Sequence, residues 1–140
     1  MGIKRTLSLE LKSTPSSISL LEPYVQRVVS HYHFCDEAKG KLLVVLTEAV
    51  TNAIVHGNAS VEDKTVKVKL VDNSGDIRFI VEDEGCGFDP EQVPDPTMPE
   101  NLLKPGGRGV FLIRELSDGV CYHKQGRQVE ITFEVSNCRK

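Results

Sequence analysis

The chain has 140 residues with 17 basic and 20 acidic side chains, a formal net charge of −3 and a hydrophobic fraction of 39%. A length of that order suits one domain, residues 1–140, whose single core buries roughly 68–70% of the surface exposed by the unfolded chain, so no metal or disulfide staple is required. The interspersed signs leave no basic stripe to neutralise a phosphate backbone, which argues against a dedicated nucleic-acid binder and leaves small anionic ligands open.

Residues 4–11 alternate, with Leu7, Leu9 and Leu11 on one side and Thr6, Ser8 and Glu10 on the other, the period of a half-buried strand. After the turn signal Ser13-Thr14-Pro15-Ser16, the apolar positions Ile18, Leu21, Val25, Val28, Val29 and Tyr32 recur at helical spacing, with Pro23 bending that helix or resetting its start. His31, His33 and Cys35 carry metal-capable side chains, but their spacing is ill matched to one helical face, and they read as an ordinary helix end. Asp36 can cap a second helix whose apolar face runs through Leu42, Leu43, Leu46, Ala49, Val50, Ala53 and Ile54 to His56-Gly57, where glycine can close it.

From residue 64 the period changes to two. Val66, Val68 and Leu70, the turn Asp72-Asn73-Ser74-Gly75-Asp76, and Ile77, Phe79 and Val81 make an antiparallel hairpin. Residues 84–107 are rich in Gly, Pro, Asp and Glu without sustained period, and a loop of that length in a compact domain points to a functional lid. Val110, Phe111, Ile113, Arg114 and Leu116 read as a short helix, followed by a closing hairpin around Gly126. The order strand, helix, helix, two strands, lid, helix, two strands predicts an α+β protein, a two-layer α/β sandwich with a mixed, mostly antiparallel sheet and its helices on one face.

No apolar run approaches the ~18 residues that span a bilayer, and the amino terminus does not resemble a signal-peptide core, so a cytoplasmic protein without membrane association is expected. The cysteines Cys35, Cys86, Cys121 and Cys138 lie far apart with no C-x-x-C pair and are read as reduced thiols.

Three local patterns carry chemistry. Glu48, Asn52 and His56 fall at i, i+4 and i+8 on the second helix, a polar stripe that suits either a solvated face or a base beside a hard-oxygen ligand for Mg²⁺. Asp83-Glu84-Gly85-Cys86-Gly87 ends a strand in a carboxylate followed by glycines, which is a plain turn or a place where a flat ligand approaches the backbone and an exocyclic amine meets Asp83. Gly106-Gly107-Arg108-Gly109 opens a helix with bare N–H groups and one guanidinium, a hinge and cap or an anion site suited to phosphate.

In this order the three patterns resemble the N-box and the two glycine boxes of the ATPase superfamily shared by gyrase, heat-shock chaperone, histidine kinases and mismatch-repair proteins. The resemblance covers nearly the whole chain. Within that superfamily, Glu48-Ala49-Val50-Thr51-Asn52-Ala53 and the short lid look most like the anti-sigma-factor serine/threonine kinases of bacteria. The resemblance implies a Bergerat-type ATP-binding fold and a protein kinase using ATP and Mg²⁺. It implies Glu48 as general base, Asn52 as Mg²⁺ ligand, His56 at the nucleotide, Asp83 at the adenine amino group, and Gly85 and Gly87 passing close to the nucleotide. Gly106, Gly107 and Gly109 would present amides to the phosphates, with Arg108 steadying the γ-phosphate. The partners implied are a small anti-anti-sigma protein of the STAS type as phosphoacceptor and a sigma factor, with a homodimer allowed. Cys86 beside the adenine pocket and the prolines Pro90, Pro94, Pro96, Pro99 and Pro105 in the lid depart from relatives. A nucleotide-gated binding module without phosphotransfer and a water-activated ATPase are the competing readings. Glu48 argues against the first of them, since a pure binder needs no base.

Overall fold

The computed structural model describes residues 7–59, 61–85 and 107–139. Most of the expected lid, including Cys86, Gly87 and Gly106, lies outside the described residues. Five strands form one sheet: β1 (Leu9–Lys12), β2 (Thr65–Asp72), β3 (Asp76–Glu82), β4 (Gly119–His123) and β5 (Gln128–Glu134), in the spatial order β1-β2-β3-β5-β4. All described pairings are antiparallel. The helices are α1 (Leu21–Tyr32), α2 (Asp36–Asn52) and α3 (Gly107–Leu116). The architecture is the α+β layering expected from the element order.

Register explains which face is covered. Leu9, Val68, Val81, Val129 and Tyr122 are successive cross-strand partners, and Leu70, Phe79, Ile131 and Val120 form the next row on the same face. The intervening residues Lys67, Lys69, Arg78, Glu82, Gln128 and Glu130 point the other way, as a strand period of two requires. The apolar rows merge with Leu21, Tyr24, Val28, Leu42, Leu46 and Val50 of α1 and α2 into one core, so the helices sit on a single face. Phe79 lies at its centre, edge-on to Tyr24 at 6.3 Å and to Phe133 at 6.2 Å between ring centroids. Tyr24 also donates its hydroxyl to the Leu7 carbonyl at 2.6 Å, which satisfies the polar end of a ring buried in apolar surroundings.

Several boundaries differ from the sequence reading for local reasons. Pro15–Leu20 is a 3₁₀ segment, and α1 begins only at Leu21, with Pro23 in its first turn where the missing N–H has no helical partner to lose. His33 closes α1 in the left-handed region at φ 59°, and Cys35 rather than Asp36 is the N-cap of α2. The Cys35 N–H is drawn to the Cys138 carbonyl at 2.7 Å next to the Phe34–Arg139 bridge, which keeps residue 35 extended. Asp36 therefore acts from the first turn, where its charge faces the positive helix end. At the other end, α2 widens into a π-turn over Ala53–Gly57, closed by Asn58 N–H donating to the Ala53 carbonyl at 2.8 Å. No helix among the described residues is long and apolar enough to cross a membrane.

Phe79→Ala should lower the unfolding free energy by about 3–5 kcal/mol, since a fully buried ring touching two other aromatics leaves a cavity the sheet cannot close. Urea unfolding followed by circular dichroism measures this, and a loss under about 1 kcal/mol would move the centre of the core elsewhere.

Candidate functional site

Glu48 and Asn52 stand one turn apart near the carboxyl end of α2, both half-buried on the side that meets the start of α3. The contact is made at Gly109, which is buried: a Cβ built there would lie 2.7 Å from Glu48 Oε2, 3.4 Å from Asn52 Nδ2 and 3.6 Å from Asn52 Oδ1. The glycine thus lets the first turn of α3 bring its backbone against a carboxylate and a carboxamide. The first N–H groups of any helix lack partners within it and carry partial positive charge, so this corner joins oxygen donors from α2 to amide donors from α3.

The exit of β3 meets the end of α2 at a second glycine contact. Asp83 is only 7% exposed, and its Oδ1 accepts the Gly85 N–H at 2.7 Å. A Cβ on Gly57 would collide with the Asp83 carboxylate, and a Cβ on Gly85 would collide with the Gly57 carbonyl. Among the described glycines, Gly126 alone has positive φ, so neither Gly57 nor Gly85 is there for left-handed backbone. Both are needed for space. The sequence reading of Gly57 as a helix-closing glycine is corrected accordingly, as the helix end is closed by Asn58 at φ −87°.

Asn58 is fully buried and ties this region together. Its Nδ2 donates to Ser13 Oγ at 2.7 Å and to the Thr65 carbonyl at 3.0 Å, and its Oδ1 accepts the Glu84 N–H at 2.7 Å. Glu84 in turn accepts from Thr65 N–H at 2.6 Å and Thr65 Oγ1 at 2.8 Å, bonds that hold its carboxyl below the ordinary range.

Between the two glycine contacts runs a cleft lined by Ala49, Asn52, Ala53, Val81, Asp83, Ile113, Tyr122, Gly126, Arg127 and Val129, enclosing about 20 Å³. Its wall of small and apolar side chains, with Asn52 and Asp83 as polar groups, leaves room for about one water. The β4–β5 hairpin contributes Gly126 and Arg127 from a turn in which Lys124, Gln125 and Gly126 all have positive φ. The Arg127 carbonyl accepts the Asp83 N–H at 2.9 Å, and Lys124 Nζ pairs with Glu82 Oε2 at 2.7 Å on the opposite face of the sheet. Burial pushes the Asp83 carboxyl above its ordinary value, with the Gly85 N–H and the Arg127 charge opposing.

The profile of the histidine kinase-like ATPase domain matches residues 11–133. The chain belongs to that family. Similar proteins include the serine-protein kinase RsbW of Listeria monocytogenes serovar 1/2a, 29% identical over an alignment of 133 residues that covers 90% of this chain and 85% of the relative. The proteins of the same name from Oceanobacillus iheyensis, 26% identical over 125 residues, and Staphylococcus aureus strain JH9, 27% identical over 132 residues, each cover 85% of this chain and 79% of their own length.

In this ATPase domain the structure brings Glu48, Asn52 and Gly109 to one corner and Asp83, Gly57 and Gly85 to another, and of these residues Asn52 and Asp83 line the cleft. Gly107 begins α3, and Arg108 follows it in the first turn, its guanidinium outside the described residues. His56 is exposed on the π-turn and is not among the cleft-lining residues. Sequence reasoning missed Asn58 and Arg127. Arg127 could be found only by knowing that β5 lies beside β3, and Asn58 carries no local signal beyond following His56-Gly57.

Gly85→Ala should lower the unfolding free energy by about 1–3 kcal/mol, because the new methyl meets main chain that cannot swing aside. Gly40→Ala, within α2 and with open space around it, should instead raise it by about 0.5–1 kcal/mol. Thermal melts of the two variants check the contrast, and equal shifts would contradict the close approach at Gly57.

Proposed function

We propose that the protein, as a single ATPase domain, binds ATP and Mg²⁺ in this cleft and transfers the γ-phosphoryl group to a serine or threonine of a small anti-anti-sigma protein of the STAS type, and that it also holds a sigma factor. The observation that carries the reading is the packing of Gly109 at the start of α3 against Glu48 and Asn52. It sets a carboxylate, a carboxamide and a helix amino terminus beside one another, which supports a base, a hard-oxygen ligand and amide donors around one phosphate. Family membership supports ATP as the nucleotide, and the relatives named serine-protein kinase support a protein hydroxyl as acceptor.

In this reading Asp83 accepts a hydrogen bond from the adenine amino group, with Oδ1 already held by Gly85 N–H and the carboxylate steadied against Gly57. Gly85 lets the chain pass the nucleotide. Gly87 shares that role with Gly85, Gly106, Gly107 and Gly109 present amides to the phosphates, Arg108 steadies the γ-phosphate, and His56 stands exposed at the helix end. Glu48 takes the proton of the incoming hydroxyl as its oxygen bonds to the γ-phosphorus and the bond to the bridging oxygen of ADP breaks. The donor set fits Mg²⁺, which keeps most of its water and needs one or two protein oxygens beside the phosphates rather than a cage. Asn52 Oδ1 would hold the ion, which supplies charge neutralisation on the transferring group. No group of three or more His, Cys, Asp or Glu side chains arranged for a metal exists among the described residues.

Incubation with labelled MgATP and the candidate acceptors tests the reading: label should appear on serine or threonine of one of them. Phosphate released without protein label would make water the acceptor, and ATP bound without turnover would make the domain a nucleotide-gated binder. Glu48→Gln should keep ATP affinity and lose transfer by about 10²–10⁴-fold, whereas Asn52→Ala should lose Mg²⁺-dependent ATP binding in calorimetry. Wild-type transfer by the first variant or wild-type affinity in the second would remove the respective role.

Asp83 gives a pH signature. Its carboxyl is harder to ionise in the folded than in the unfolded chain, so its charge penalises the fold above the raised value, and the penalty fades as pH falls toward the ordinary carboxylate range. Asp83→Asn should therefore melt no lower than wild type at neutral pH, with any advantage shrinking toward about pH 4, while adenine nucleotide binding is lost. A variant that binds ATP unchanged would refute the base-recognition role.

A further inference from the structure

Asn58 is a fully buried polar side chain whose hydrogen bonds join the end of α2 to Ser13, to Thr65 at the start of β2 and to Glu84 after β3. Asparagine after a helix is often present because it tolerates left-handed backbone, but Asn58 has φ −87° and ψ −2°, and it is Ala59 that turns left-handed at φ 54°. The backbone does not explain the residue, so its side chain must.

Both amide protons and the carbonyl of that side chain are engaged. The bond that matters for the site is the one from Glu84 N–H. The peptide plane carrying that N–H begins at the carbonyl of Asp83, and the plane before it is held by Asp83 N–H donating to the Arg127 carbonyl at 2.9 Å. Asp83 is thus clamped through the peptide planes on both its sides. The Arg127 clamp is main chain and is available whatever the side chain there. The Asn58 clamp is the one written into the sequence.

We infer that Asn58 is a positioning residue that sets base selectivity, by fixing the peptide after Asp83 so that the carboxylate meets the nucleobase in one orientation. This rests on the proposed role of Asp83 at the adenine amino group. Ser13, fully buried and bonded through Oγ to the Lys64 carbonyl at 2.8 Å, anchors Asn58 from behind and fixes which way its amide faces. An aspartate at position 58 keeps the acceptor for Glu84 N–H but loses the donors to Ser13 Oγ and to the Thr65 carbonyl. Alanine loses everything, and serine is too short to span to Glu84.

The test compares affinities, in the presence of Mg²⁺, for ATP and for purine riboside triphosphate, which has the same sugar and phosphates but hydrogen in place of the exocyclic amine. Wild type should prefer ATP. Asn58→Ala should lose about 10-fold or more of that preference, the size expected when a hydrogen bond to a charged group is misaligned, and Asn58→Asp should keep most of it while melting lower. Asn58→Ser should behave as the alanine variant and serves where the alanine variant does not fold. A purely structural residue would weaken both nucleotides by one factor, and that result, or an unchanged preference in the alanine and serine variants, overturns the inference. Wild type that binds both nucleotides equally would overturn the role of Asp83 and this inference with it, a result distinguishable from the first because it appears before any substitution at position 58.

Discussion

Everything at the candidate site depends on two stretches of main chain coming closer than side chains allow. The end of α2 and the exit of β3 meet with Gly57 against the Asp83 carboxylate and Gly85 against the Gly57 carbonyl. A methyl group at either place would push a helix away from the strand it rests on, and the apolar rows beneath would have to open. The contact is tight because hydrogen bonds hold it from both sides, through Asn58 from the helix and Arg127 from the β4–β5 turn. Buried polar groups satisfied in this way have one low-energy arrangement, since each alternative leaves a donor or acceptor unpaired. Asp83 can then stay ionisable in a poorly solvated place, with its position already fixed by its surroundings.

The sequence made the layering legible because period is a local property. Val66, Val68 and Leu70, then Ile77, Phe79 and Val81, alternate as strands must, and the long apolar face of α2 announces a core helix. The three motif segments were legible for the same reason: their residues are adjacent in the chain. The purpose of their glycines was not. Gly57 and Gly85 looked like residues chosen for unusual backbone, and the structure gives them ordinary φ and a steric duty toward each other. A steric duty belongs to a pair of positions, and nothing at either position alone reveals it. Asn58 was hidden likewise, its partners being Ser13, Thr65 and Glu84 in three other segments. Arg127 enters the cleft because β5 lies beside β3, a pairing that skips the whole of α3 and β4. His56 shares the spacing of Glu48 and Asn52 but sits exposed on the π-turn, because the helix widens between them.

The two ends of the cleft are built with different materials. At the Asp83 end the parts are joined by backbone and buried amide hydrogen bonds, which break as units. At the Gly109 end one helix rests on another, with Ile113 of α3 buried against the core and a glycine facing Glu48 and Asn52. Helices packed through side chains slide by an ångström or two at small cost, whereas a saturated hydrogen-bond network does not. ATP and ADP share their base and differ only in phosphate. In the proposed reading the rigid end therefore sees the same ligand before and after transfer, and any response to the nucleotide's state has to arise where α3 meets α2. A partner whose binding depends on that state would gain most by touching α3, because it is the element whose position the γ-phosphate can bias.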